Sequence, residues 1–456
     1  MASMFPSHSA LRRLLAPSAL LLLALVAIAT PLRPAAAVDV QRVVSPGGIE
    51  AWLVEDHAVP LLSISLAFDG GSATDPAGKA GLANMVSGLL DEGAGDFDSE
   101  AFQRRIADLS IELGFNAGRD GFFGGMRALS RHRDAAFDLL RLALTAPRFD
   151  DRAVERIRGQ ILANLSRRAN DPGDIAGRTF WQGVLPGHPY ANPVDGTPQS
   201  VATLTAADLH AFVAGRFSRD TLIIGVAGDI TAAELSVLLD RTFATLPAQG
   251  SPVAIADAAP DFRGGTTVVR QAVPQSTILF GQRGLARDDP DYYVAYVLNH
   301  LLGGGAFSSR LYKEVREKRG LAYSAYSYLS PLDHTALWIG GAATANARVG
   351  ESLAVIRDIW AEMRTAPVDA ATLEDAKSNI TGSFALRLTS SKAIARMLVG
   401  IQREQLGIDY LDRRNALIGA VTTADVERVA ARLLDPAALT FVVVGEPAGV
   451  ETSPGG

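Results

Sequence analysis

Between residues 59 and 71 the chain reads VPLLSISLAFDGG, alternating apolar with small or polar positions. That two-residue period predicts a half-buried β-strand. The pattern returns in VPQSTILFGQRGL at 273–285, and an Asp-Pro pair follows each run. Val59-Pro60 and Val273-Pro274 lie 214 residues apart, as do Asp75 and Asp289. TAP recurs at 145 and 365, an offset of 220. The helix opening TAAD at 205 is echoed by TTAD at 422, and the strand LIIGVAGD, ending at Asp229, by FVVVGE, ending at Glu446, both at an offset of 217. Similar pieces in the same order at nearly one spacing are the mark of an internal duplication.

Two homologous units are therefore predicted, 38–247 and 266–449. The stretch 248–265 between them, rich in Pro, Ala and Gly, reads as a linker. Thr205 and the Asp75-Pro76 pair are plausible helix starts, and prolines at 147, 172, 189 and 198 interrupt the middle of the first unit. Early strands followed by runs of helix predict an α+β layer in each unit, an antiparallel-rich sheet covered by helices on one face. Two units of equal size would enclose a cleft.

Composition narrows the class. The chain has 456 residues, 48% of them hydrophobic and 20% charged, enough apolar material for large cores. Residues 1–37 carry Arg12 and Arg13, an apolar run from Leu14 to Ala29, and a small-residue pattern ending at Ala37. This predicts a secretory signal peptide and a periplasmic protein, with an uncleaved anchor as the alternative. No later stretch is long and apolar enough to span a membrane. Without Arg12, Arg13 and Arg33 the net charge moves from −6 to −9, which argues against nucleic-acid binding. There is no cysteine, so thiol catalysis and thiolate metal sites are excluded. Residues 450–456 read as a disordered tail.

The chemistry is less obvious. In GLANMVSGLL, residues 81–90, Asn84, Ser87 and Gly88 share one helical stripe at i, i+3 and i+4. Six histidines follow residue 37 and no two lie within four positions, so no local zinc pair exists. Gly303-Gly304-Gly305 lacks the Lys-Ser/Thr of a phosphate loop and reads as a helix terminator and flexible turn. In SSRLYKEVREKRGLAYSAYSYL, residues 308–329, a helical period ends at Gly320 and a strand alternation follows. Arg316 falls in the last turns and Tyr323 on the departing strand. Two readings stand: a solvated basic helix end, or an Arg-Tyr pair that donates hydrogen bonds to a peptide carbonyl or an oxyanion.

SSRLYKEVREKRGLAYS resembles the C-terminal-domain signature of the pitrilysin/insulinase family, which includes the mitochondrial processing peptidases. NPVDGTPQSVATLTAADLHAFVAGRF resembles the end of that family's first domain, and LLSISLAFDGGSATDP with GLANMVSG its beginning. The resemblance implies paired α/β roll domains, and roles in substrate binding for Arg316 and Tyr323. Active members carry His-x-x-Glu-His on the first helix, two zinc ligands and a general base. Here the matching positions are Asn84, Ser87 and Gly88, and the best match to a further zinc-binding Glu is Glu155. No cofactor is thus expected in this chain. The resemblance implies a non-catalytic subunit that acts on peptides beside a homologous, zinc-bearing partner. A purely structural scaffold and an independent enzyme with a rebuilt metal site are the alternatives.

Overall fold

The computed structural model describes residues 38–453; the leader read at 1–37 and the tail residues 454–456 lie outside the described residues. In the first half, β1 (Gln41–Val44), β2 (Glu50–Glu55), β3 (Leu61–Asp69), β4 (Glu112–Ala117), β5 (Gly121–Leu129) and β6 (Ile223–Gly228) form a six-stranded sheet, order β1-β2-β6-β3-β5-β4. In the second, β7 (Thr266–Arg270), β8 (Gln275–Arg283), β9 (Ala322–Leu332), β10 (Thr335–Ala345) and β11 (Thr440–Gly445) form a five-stranded sheet, order β7-β11-β8-β10-β9. Neighbouring strands are antiparallel except β2 with β6 and β7 with β11.

The duplication holds residue by residue. An offset of 214 carries β3 onto β8, and 217 carries β6 onto β11. The helix Ala206–Arg216 maps onto Thr423–Leu433 by the same 217, and each is opened by a Thr-Asp capping box. Both sheets are α+β layers of the predicted kind. On one face of the first sheet Leu62, Ile64, Leu66 and Phe68 meet the helices of their own half, with Phe68 stacked on Phe217 at 4.6 Å. On the equivalent face of the second, Phe280, Trp338, Trp360 and Phe441 form the core. Its two buried indole N–H groups are satisfied: Trp338 donates to Asn299 Oδ1 at 2.9 Å and Trp360 to Gln282 Oε1 at 2.8 Å.

The expectation that helices cover one face only is incomplete, because each half lends a helix to the other half's sheet. The helix Pro172–Val184 leaves the first half and lays Ala176, Phe180 and Val184 on Leu337, Ile339, Val442 and Val444 of the second sheet. The helix Ser391–Arg403 returns the exchange, packing on β3 and β6. Glycine makes both contacts possible. A Cβ on Gly225 would lie 2.3 Å from the Ala395 carbonyl, and one on Gly281 would lie 2.7 Å from the Phe180 ring. The β4–β5 and β9–β10 turns also meet, where Asp120 accepts from the Asp333 N–H at 3.2 Å and from the Tyr190 hydroxyl.

Residues between the halves are laid down rather than free: the Ala258 N–H donates to the His334 carbonyl at 2.8 Å and the Asp261 N–H to Val184 at 2.7 Å. The tail expectation needs correction over 450–453. β7 is an edge strand with free N–H groups, and the tail supplies acceptors: Ser453 Oγ for Thr266 at 2.9 Å and Thr452 Oγ1 for Val268 at 3.0 Å. Val450 packs on the second core.

Candidate functional site

Of the stripe, Asn84 and Ser87 lie on the short helix Leu82–Ser87 and Gly88 is its C-cap; the helix's apolar side is buried in the first core. Its start is fixed by Asp75, which accepts from the N–H groups of Gly81, Leu82 and Ala83 at 2.9, 3.1 and 3.0 Å. Burial nevertheless pushes the Asp75 carboxyl up to about 7. Gly81 sits at φ +92 against Asp195 and Gly196, which seats the NPVDG turn at the helix start.

These residues do not fit a zinc ion. The Ser87 hydroxyl is buried and already donates to the Asn84 carbonyl at 2.8 Å. Gly88 lies close under the helix Asp151–Arg168: a Cβ there would sit 3.3 Å from Ile157 Cγ2. Glu155, two residues before Ile157, is about 200° round that helix and points away from the stripe. It is exposed and pairs with Arg158 at 3.2 Å, whose guanidinium donates to the carbonyls of Val201 and Leu204. It is Arg158 that ties down these carbonyls, Glu155 only flanks it at the surface, and the structure does not bring Glu155 to the degenerate positions. Among the described residues no group of three or more potential metal ligands converges.

Arg316 and Tyr323, by contrast, meet. The segment predicted as a helix before Gly320 winds as a π-helix over Tyr312–Glu317, with the Lys318 N–H donating five residues back to Lys313 at 3.0 Å. Buried Glu314 secures this turn, bonding Lys318 at 2.7 Å and Arg319 at 2.6 Å, and these cations hold its carboxyl below the usual carboxylate range. Gly320 takes φ +58 and the Leu321 N–H reaches back to the Val315 carbonyl at 2.8 Å, turning the chain into β9.

Val315 is thereby buried and Arg316 directed outward. Its guanidinium carbon lies 4.3 Å from the Tyr323 ring centroid and 4.9 Å from that of Tyr312, and it donates to the Tyr312 hydroxyl. Tyr323 is 80% exposed on an edge strand, and Phe307, also exposed, stands edge-on to Tyr312 at 4.9 Å. Arg316 forms no ion pair among the described residues, so its charge is offered outward from an aromatic clamp. Tyr312 was the missed member; its place four residues before Arg316 on a helical face was the available signal.

The glycine triplet ends its helix as expected, but not through a left-handed cap: Gly303 and Gly304 close a second π-turn, His300–Gly304, Gly305 caps it, and none of the three has positive φ. A Cβ on Gly303 would meet Ser327 Oγ at 2.4 Å and Ser327 N at 2.5 Å, so glycine is needed there to let β9 approach.

Residues 203–380, which include Arg316 and Tyr323, match the family model described as peptidase M16 inactive domain. The chain is 28% identical to the non-peptidase homolog YmxG of Helicobacter pylori, covering 73% of this chain and 77% of that one. It is 27% identical to an uncharacterized zinc protease of Mycobacterium leprae, covering 79% and 82%. A crystal structure of the peptidase M16 inactive domain from Pseudomonas fluorescens superposes with a TM-score of 0.84 at 27% identity, over 91% of this chain and 99% of that one.

Proposed function

Because the chain belongs to the peptidase M16 family as a member without the zinc ligands, we propose that it is the substrate-binding subunit of an exported heterodimeric metallopeptidase. The observation that carries this reading is the outward-facing pair: Arg316 held 4.3 Å from the exposed Tyr323 ring, with no carboxylate among the described residues paired to it. A guanidinium and a phenol at one surface point are two hydrogen-bond donors suited to a peptide carbonyl as negative charge builds on its oxygen. The zinc and its general base belong, in this proposal, to a homologous partner carrying His-x-x-Glu-His. This chain binds and orients the peptide, and its Arg316 is kept in place by Tyr312. The signal peptide read at 1–37 supports export to the periplasm, and no helix among the described residues is long and apolar enough to cross a membrane.

The test is reconstitution. Affinity capture of the native protein should bring down a companion bearing the zinc motif, and mixing the two should create chelator-sensitive peptidase activity absent from either alone. Arg316→Ala and Tyr323→Phe should each lower kcat on the order of 10²-fold while the pair still co-elutes. Wild-type turnover from both variants would instead make the chain a scaffold with no part in proteolysis.

A further inference from the structure

The two sheets carry the same glycine doublet in the same register. Ser65 of β3 pairs with Gly125 of β5, and Leu279 of β8, 214 residues on, pairs with Gly341 of β10. On the edge strands, however, the partner of Gly341 is Tyr326, whereas that of Gly125 is Gly114. Two residues along, Ile339 faces Tyr328 and Phe123 faces Asn116. The duplication thus equates Gly114 with Tyr326 and Asn116 with Tyr328.

In the second sheet the tyrosines close the surface. Their rings stack at 6.3 Å and 15°, and the Tyr326 hydroxyl oxygen lies 2.8 Å from where a Gly341 Cβ would be. None of the described residues fills the matching space in the first sheet. A Cβ on Gly114 would have no neighbour within 4 Å, and one on Gly125 only the Ile64 carbonyl at 3.8 Å. The 391–403 helix covers β3 and β6 but leaves this part of the face open, as a groove of about 850 Å³ floored by Ser65, Gly125 and Gly114. That volume suits a bound ligand. The groove lies on the opposite sheet face from the Leu82–Ser87 helix.

Its lining has a charge sign. Four cations, Arg127, Lys392, Arg396 and Arg403, face two acids, Glu112 and Glu404. Arg127 and Lys392 share the Glu112 carboxylate, and Arg403 is held by Asp333 at 3.2 Å beside the Phe123 ring. Arg396 is exposed and forms no ion pair among the described residues.

We propose that this groove binds an extended peptide segment carrying aromatic and carboxylate side chains. Rings of the ligand occupy the glycine floor as Tyr326 and Tyr328 occupy theirs, and a carboxylate meets Arg396. A strand face walled by a helix favours an extended chain, whose alternate side chains reach the same face. The site is complete within this chain and does not rest on the roles given to Arg316 and Tyr323.

The test is fluorescence anisotropy with the purified mature chain and a labelled, end-blocked hexapeptide alternating Tyr and Glu. Saturable binding is expected, weakened at least tenfold by Gly114→Tyr, which rebuilds the closed surface of the second sheet, and by Arg396→Glu. Peptides alternating Tyr with Lys, or Ala with Glu, should bind at least tenfold more weakly. The proposal is overturned by absence of saturable binding, by equal binding of the Tyr-Lys peptide, or by indifference to Arg396→Glu, which decides the matter even if Gly114→Tyr fails to fold.

Discussion

Replacing Gly225 by alanine tests the helix exchange at its tightest point. The added methyl would lie 2.3 Å from the Ala395 carbonyl oxygen, 2.9 Å from Leu398 Cβ and 3.2 Å from the Val399 nitrogen. Ordinary contact begins near 3.4 Å, so the 391–403 helix must retreat by about 1 Å or β6 must sink into its own core. Sinking is opposed by Ile224 and Val226, both fully buried. Retreat loosens Ala395, Leu398 and Val399, and stretches the 3.0 Å bond from Gln402 Nε2 to the Ile224 carbonyl. Overpacking of this kind costs about 1–3 kcal/mol, and the upper end is expected because the obstacles include main-chain atoms that cannot rotate aside. Guanidinium denaturation followed by circular dichroism should show the loss. Hydrogen exchange should place the lost protection in the 391–403 helix. Gly177→Ala is the control: it lies in the other lent helix with nothing within 4 Å, and should hold or gain stability. If Gly225→Ala unfolds within about 0.5 kcal/mol of wild type, the helix does not seat on the sheet as described.

Two further outcomes follow from the region of Asn84. The Asp75 carboxyl is raised from an ordinary 3.8 to about 7, chiefly by burial, so the folded state holds its proton longer than the unfolded chain does. Its stabilising contribution is full below about pH 4 and is lost as pH rises through 7; denaturation midpoints should therefore shift in favour of Asp75→Asn between pH 5 and pH 8, and a constant difference between the two proteins would contradict the assignment. Rebuilding the motif with Asn84→His, Ser87→Glu and Gly88→His together should not create a zinc protein, since Glu155 faces away and Ile157 crowds position 88. Metal analysis after dialysis against zinc checks this, and a one-to-one ratio would refute it.

The duplicated order of strands was legible because a half-buried strand writes its period directly into the sequence. β3 and β8 fall on the two alternating runs. The capped helices at 206 and 423 were equally plain, since a Thr-Asp box is a local signal. What stayed hidden was tertiary. Nothing in Pro172–Val184 says that Phe180 will rest on the other half's Gly281, because an amphipathic helix does not name the sheet it covers. The π-turn at Arg316 was missed because its residues keep a helix-like spacing while their hydrogen bonds skip a residue. Asn84, Ser87 and Gly88 were correctly placed on a helix, yet only coordinates reveal Ile157 pressed against Gly88. The groove had a visible trace, the doublet at 124–125 and 340–341, but its meaning needed the register of the edge strands.

The lent helices also set the order in which the molecule can be built. Ser63 and Ser391, whose hydroxyls meet at 2.9 Å, are 328 positions apart, and Ile224 and Gln402 are 178 apart. A chain emerging from its N-terminus completes β6 long before the cover for that strand exists. The first sheet stays open on one side until the chain has been made as far as Arg403. Contacts this distant form late and slowly, because the intervening chain must be ordered first. An incomplete chain ending before residue 391 would therefore expose a bare sheet face and tend to aggregate. A gene divided between the halves should give soluble protein only when both fragments are made together.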